Sequence, residues 1–184
     1  MKIAVISDIH DNFHNMVCAV EEIEKRDVEY VLCLGDLVAN GIAKILAKLN
    51  VPVLLIWGNN IGDKVQVMNT AFESKGKLTV SEKTYDSIEL GGRKLFLSHY
   101  PDLANPIAAS GEFDAVFFGH THKKSQEKLG DCLVLNPGEI GTMVVSEASF
   151  AVYDTKTNEA EFVVLDDTVV IRTDKVEEYM KNIF

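Results

Sequence analysis

The feature that most limits how this chain can fold is a series of short apolar runs, each stopped by glycine, aspartate, asparagine or histidine. Ile3 to Ile6, Tyr30 to Leu34, Val51 to Trp57, Leu95 to Leu97, Ala115 to Phe118 and Cys132 to Leu135 have the length of buried strands rather than of helices. Between the first three lie helical patterns. Phe13, Val17, Val20 and Ile23 follow the candidate cap Asn12, and Ile42, Ile45, Leu46 and Leu49 follow Asn40. A third, weaker helix is expected after Asp63, with Val65, Met68 and Phe72 on its apolar face. The first half thus reads β-α-β-α-β-α, the pattern of parallel strands covered by helices.

After about residue 76 the helical period fades. Ile88 and Leu90 before Gly91-Gly92 signal a hairpin, and a second is expected to turn through Asp154 to Asn158, joining Phe150–Tyr153 to Phe162–Leu165. Two sheets packed face to face are expected, with helices outside, the first half feeding mainly one sheet and the second half mainly the other. The tail from Asp174 carries Val176, Tyr179, Met180 and Ile183 at helical spacing, with Asp174 and Glu177 placed as a capping box. That stripe would cover the body of the protein or a second subunit, so a homo-oligomer stays open.

At 184 residues and 47% hydrophobic composition, one domain over residues 1–184 is expected. A net charge of −10 argues against a broad nucleic-acid-binding surface or an anionic-lipid surface, both of which need clustered Lys and Arg. The three cysteines, Cys18, Cys33 and Cys132, are far apart and never form a C-x-x-C pair, so they read as buried thiols in a reducing compartment. The first apolar run is too short for a signal peptide and no segment approaches a membrane span. A cytoplasmic protein is expected.

Nearly every apolar run ends in a residue able to bind metal. The run ends are Ser7-Asp8-Ile9-His10, Gly35-Asp36, Gly58-Asn59-Asn60, Ser98-His99 and Gly119-His120-Thr121-His122, which together hold four of the five histidines. In an open α/β sheet, side chains at the carboxyl ends of strands converge, so one shared site is expected. Residues i and i+2 of extended chain project to the same side, which lets Asp8 and His10, or His120 and His122, address one cation. Glycine before Asp36, Asn59 and His120 allows a tight turn and close approach. Imidazole and oxygen donors without thiolate suit Mn, Fe or Zn better than Ca. Taken singly, Asp8, Asp36 and Asn59 are ordinary turn or capping residues; their joint register with the histidines favours ligation. Two divalent cations would bring four positive charges against the two negative charges of Asp8 and Asp36, leaving a centre that attracts phosphate. A water bridging the ions would lose a proton readily, giving a hydroxide for in-line attack on phosphorus.

At these residues the chain resembles the calcineurin-like metallophosphoesterases, whose signature is D-x-H, G-D, G-N, a single histidine and G-H-x-H in that order. The match runs from Asp8 to His122, and the short length with Asn136-Pro137-Gly138 is similar to the small bacterial and archaeal phosphodiesterase branch. The resemblance implies a four-layer α-β-β-α sandwich of two mixed sheets. It also implies that Asp8, His10 and His122 hold one metal, that Asn59, His99 and His120 hold the other, and that Asp36 bridges them. Mn is the usual ion of this branch, with Fe, Zn, Ni or Mg as other options. The implied activity is metal-dependent hydrolysis of a small phosphate ester, foremost a diester; a phosphomonoesterase and a binding scaffold of the same fold are the alternatives.

The chain departs from the family pattern at four places. Asn60 stands where histidine or cysteine is frequent, which leaves Asp36, Asn59, Asn60 and His99 as the candidate catalytic set with a weak proton donor among them. Asp11 and Tyr100 replace glycines and are expected to narrow the pocket or alter its charge. Glu139 replaces serine and is expected to add negative charge near substrate. His14 reads as solvent-facing, while Asn12 fits either a helix cap or a phosphate-pocket residue.

Overall fold

The computed structural model describes residues 1–165 together with Glu177 and Lys181. The expected stripe of Val176, Tyr179, Met180 and Ile183 lies outside the described residues.

Strand β1 (Lys2–Ile6) pairs in parallel with β2 (Tyr30–Cys33), β2 with β3 (Val53–Leu55), and β3 with β4 (Leu78–Val80). The crossovers are α1 (Phe13–Glu24), α2 (Asn40–Lys48) and α3 (Lys64–Glu73), as the periodicity predicts. Helix α1 starts where the Asn12 side chain accepts the Asn15 N–H, and it buries Met16, Val17, Val20 and Ile23. Asn12 therefore takes the capping role. His14 is exposed, as expected.

The second sheet has the order β5-β6-β7-β9-β8, from β5 (Tyr85–Leu90), β6 (Arg93–Ser98), β7 (Ala115–Phe118), β8 (Ser125–Leu129) and β9 (Cys132–Asn136). Gly91 and Gly92 turn the β5–β6 hairpin with φ of 56° and 76°, the positive angles that a two-residue turn of this hand requires. The short helix α4 (Ala104–Ala109) covers the outer face of this sheet, where Ala104 and Ala108 pack with Phe96, Val116 and Val134.

The final hairpin, β10 (Ala148–Asp154) and β11 (Glu159–Leu165), does not follow the expected division of the chain. It returns to the first sheet, where β10 lies antiparallel to β1, giving the order β11-β10-β1-β2-β3-β4. The reason is burial on both faces: Phe150 and Val152 meet the helical layer, while Ala151 and Tyr153 meet the opposing sheet. Only a position inside a doubly covered sheet hides both sets.

Alternation builds the layers. In β1, Ala4 and Ile6 join the core under the helices, whereas Ile3 and Val5 join the core between the sheets, opposite Leu95, Leu97, Phe117 and Leu135. The result is the four-layer α-β-β-α sandwich. All three cysteines are buried. Among the described residues no helix is long and apolar enough to cross a membrane.

The third helix corrects an expectation. Val65, Met68 and Phe72 face outward, Phe72 being 88% exposed, while Val67 and Thr70 face the body. Thr70 Oγ1 donates to Asn40 Oδ1 at 2.8 Å, so a polar anchor to α2 decides which face turns inward.

Candidate metal centre

The carboxyl ends of β1, β2, β3, β6 and β7 meet at one end of the two sheets, and the loops that follow carry the polar residues singled out by their spacing. Asp8, Asp36 and His99 are buried, at 0%, 2% and 0% exposure. Asp8, His10 and His122 form one group of donors lying within 4.8 Å of one another, and Asp8, Asp36 and His99 form another. His10 Nε2 stands 3.6 Å from Asp36 Oδ2 and 4.0 Å from Asp8 Oδ1; His122 Nε2 stands 3.6 Å from Asp8 Oδ1; and His99 Nε2 stands 3.6 Å from Asp36 Oδ1. These separations exceed hydrogen-bond length. With metal–donor bonds of about 2.1 Å, donors around one cation stand roughly 3 to 4 Å apart, which is the spacing found.

Asn59 Oδ1 lies 2.8 Å from both His99 Nε2 and His120 Nδ1. His99 Nδ1 is 2.8 Å from the Leu34 carbonyl, an acceptor only, so it donates there and Nε2 is the atom turned toward Asn59. All seven expected ligands, Asp8, His10, Asp36, Asn59, His99, His120 and His122, therefore meet in one place.

Three further observations test whether these residues fit a metal. Asp8 Oδ1 and His10 Nε2 are buried without a hydrogen-bond partner, a condition that native interiors rarely leave uncompensated. Burial pushes the Asp8 carboxyl above its ordinary range, with the Asp36 charge adding to the rise while His99 and His122 oppose it. Such a buried acid pair is stabilised by positive charge. Finally, Asp8, His10, Asp36, His120 and His122 all have φ between 45° and 68°, a left-handed backbone that non-glycine residues rarely adopt. Strain concentrated on five neighbouring donors marks a functional site. The donor set fits divalent cations.

The glycines act as the sequence suggests. A Cβ on Gly58 would lie 2.0 Å from Asp36 Oδ1, and one on Gly119 would lie 2.1 Å from the Ser7 hydroxyl. Neither loop could close over a larger residue.

Of the departures from the family pattern, Asp11 and Glu139 take different places from those expected. Tyr100 packs edge-on against His99 and His120, with ring centroids 5.1 and 5.2 Å away. Asp11 instead turns away to accept the Ala39 N–H at the start of α2, at 2.5 Å. Glu139 does not offer its charge to substrate. It is fully buried, and both its oxygens are occupied by His122 and by the backbone N–H groups of Met143, Val144 and Val145. Burial raises its carboxyl, but those hydrogen bonds outweigh it and hold the group below the usual carboxylate range. Asn60 donates to Asp36. Asn136 supports the histidine loop, donating to the Gly119 carbonyl and the Thr121 hydroxyl at 3.0 Å each, a role its strand-end position alone does not reveal.

Comparison with known proteins agrees with this geometry. The family model described as the calcineurin-like phosphoesterase superfamily domain matches residues 1–158. The phosphodiesterase MJ0936 of Methanocaldococcus jannaschii is 29% identical over 168 residues, covering 90% of this chain and all of that protein. A solved structure described as a novel archaeal phosphodiesterase superposes with a TM-score of 0.83 at 29% identity, covering 90% of this chain and all of the other. The phosphoesterase Yfce from E. coli shares the fold, with a TM-score of 0.64 at 19% identity over 90% of this chain and all of that one. The chain belongs to the calcineurin-like phosphoesterase superfamily, a metal-dependent family of phosphoester hydrolases.

Proposed function

We propose that this protein is a phosphodiesterase that works with two divalent cations, Mn foremost. The observation that carries the reading is the convergence of seven donors, two of them buried polar atoms without a partner. Asp8, His10 and His122 would hold one ion and Asn59, His99 and His120 the other, with Asp36 between them. Asp36 suits that place because Oδ1 lies 3.6 Å from His99 and Oδ2 lies 3.6 Å from His10, so each oxygen faces a different set. When bound, the ions supply positive charge for a phosphate and lower the pKa of a coordinated water.

The chain's own residues orient and restrict. Asp8 and Asp36 cancel only part of the cationic charge, so an anionic ester is attracted although the protein carries a net charge of −10. Tyr100 limits the width of the site beside His99 and His120, which favours a small substrate. A cytoplasmic setting fits three cysteines buried as thiols. The likeness to a named phosphodiesterase over nine-tenths of the chain supports the choice of diester.

The test uses metal-free protein reloaded with Mn and offered bis-(p-nitrophenyl) phosphate and p-nitrophenyl phosphate. Faster turnover of the diester is expected. Turnover of the monoester alone would make the protein a phosphomonoesterase, and no turnover of either with Mn shown to be bound would leave a scaffold.

A further inference from the structure

Glu139 is a carboxylate with no exposure, placed beside the site but outside the proposed ligand set. Its Oε2 lies 2.5 Å from His122 Nδ1 and accepts the Met143 N–H at 2.8 Å. Its Oε1 accepts the Val144 N–H at 2.8 Å and the Val145 N–H at 2.5 Å. Four donors thus fill the four lone-pair directions of one carboxylate.

The geometry points to Glu139 as a positioning residue that fixes the proton of His122 on Nδ1, turns Nε2 toward the metal, and ties the 142–146 loop to the same centre. The inference rests on the proposed ligation by His122. A carboxylate accepts only, so the imidazole nitrogen facing it must donate. Nε2 is then left as the lone-pair atom, and it is the atom that stands 3.6 Å from Asp8 Oδ1. His10 stacks on the His122 ring at 5.1 Å, so the orientation set by Glu139 extends to a second donor of the same group. A negative charge on the far side of the imidazole also makes it a stronger ligand.

The loop is the other half of the arrangement. Met143 and Val144 are exposed on it, and Gly141 N–H donates to the Asp8 carbonyl at 2.8 Å. Without the carboxylate, three successive backbone N–H groups lose their acceptor. Glutamine cannot replace it: one oxygen is lost, and the new NH2 must face either the His122 N–H or the loop N–H groups.

Three measurements on wild type and Glu139→Gln test this. Imidazole 15N spectra of metal-free wild type, taken once the ring is neutral, are expected to show the His122 proton on Nδ1; a proton on Nε2 overturns the proposal, whether or not the variant folds. Calorimetric titration with Mn is expected to show one of two sites weakened about 10- to 100-fold in the variant and the other unchanged. Equal affinities at both sites overturn it. Limited proteolysis is expected to cut the variant within 142–146, and an uncut loop overturns the tie. If wild type itself binds no Mn, the metal reading fails, while the spectrum and the proteolysis still judge Glu139.

Discussion

Asn60 holds Asp36 at both oxygens: its backbone N–H donates to Oδ1 and its side-chain N–H to Oδ2, each at 2.7 Å. The residue at the position where histidine or cysteine is frequent in the family pattern is therefore engaged with the carboxylate proposed to lie between the metals. An amide has no proton to release near neutral pH, so the leaving group must depart unprotonated or take a proton from water. Aryl diesters, whose leaving groups tolerate this, are expected to be cleaved far faster than alkyl diesters. Asn60→His is expected to raise kcat/KM for alkyl diesters at least tenfold while changing aryl diesters little. Equal aryl and alkyl rates in the wild type would reveal another acid in the site.

Asp36→Asn removes a carboxylate whose two oxygens face histidines of both sets. The amide keeps the shape and loses the charge, so elemental analysis of the purified variant is expected to find both ions depleted. Depletion of one alone would exclude Asp36 from the bridging position.

The seven donors were legible in the sequence because each sits at the end of an apolar run, and runs of strand length in a β-α-β pattern bring their ends together. The glycines beside three of them carried the same information, since Gly58 and Gly119 have no room for a Cβ. What stayed hidden depends on contacts that no period encodes. Glu139 reads as a charge offered to substrate until the chain four to six residues later folds back over it. Asp11 looks like a pocket residue until α2 begins beside it. Strand β8 is exposed along its whole length and has no apolar alternation, so only its pairing with β9 makes it a strand. The hairpin of β10 and β11 was visible as a hairpin, yet its place beside β1 follows from burial on both faces rather than from order along the chain.

Helix α3 offers a direct test of face assignment. Val67 is fully buried, so Val67→Ala, which removes two methyl groups from the core, is expected to cost about 2 kcal/mol in chemical denaturation. Phe72→Ser, on the outward face at 88% exposure, is expected to change stability by less than about 0.5 kcal/mol in the monomer. A large loss for Phe72→Ser that depends on protein concentration would show that a second subunit covers the stripe.

At the end of the sheets away from the metal centre, Asp114 joins three strands. Its Oδ1 accepts from Arg93 Nη1 and its Oδ2 from the Lys94 N–H, each at 2.8 Å, while its backbone carbonyl accepts the Leu133 N–H at 3.0 Å. Burial raises this carboxyl, but the Lys94 and Arg93 hydrogen bonds, with the charges of both residues, outweigh it and hold the group below its ordinary range. A carboxyl held lower in the folded than in the unfolded chain contributes stability above its unfolded pKa, and that contribution fades as the pH falls through the folded value. Asp114→Asn keeps the size and can accept at only one oxygen. Urea denaturation should therefore find the variant less stable than wild type at pH 7, with the gap narrowing below about pH 4, where the carboxyl of the unfolded chain begins to protonate, and closing as the pH falls through the lower folded value. A gap that stays constant down to pH 2 would mean that the ionised carboxylate contributes nothing and that packing alone accounts for the loss.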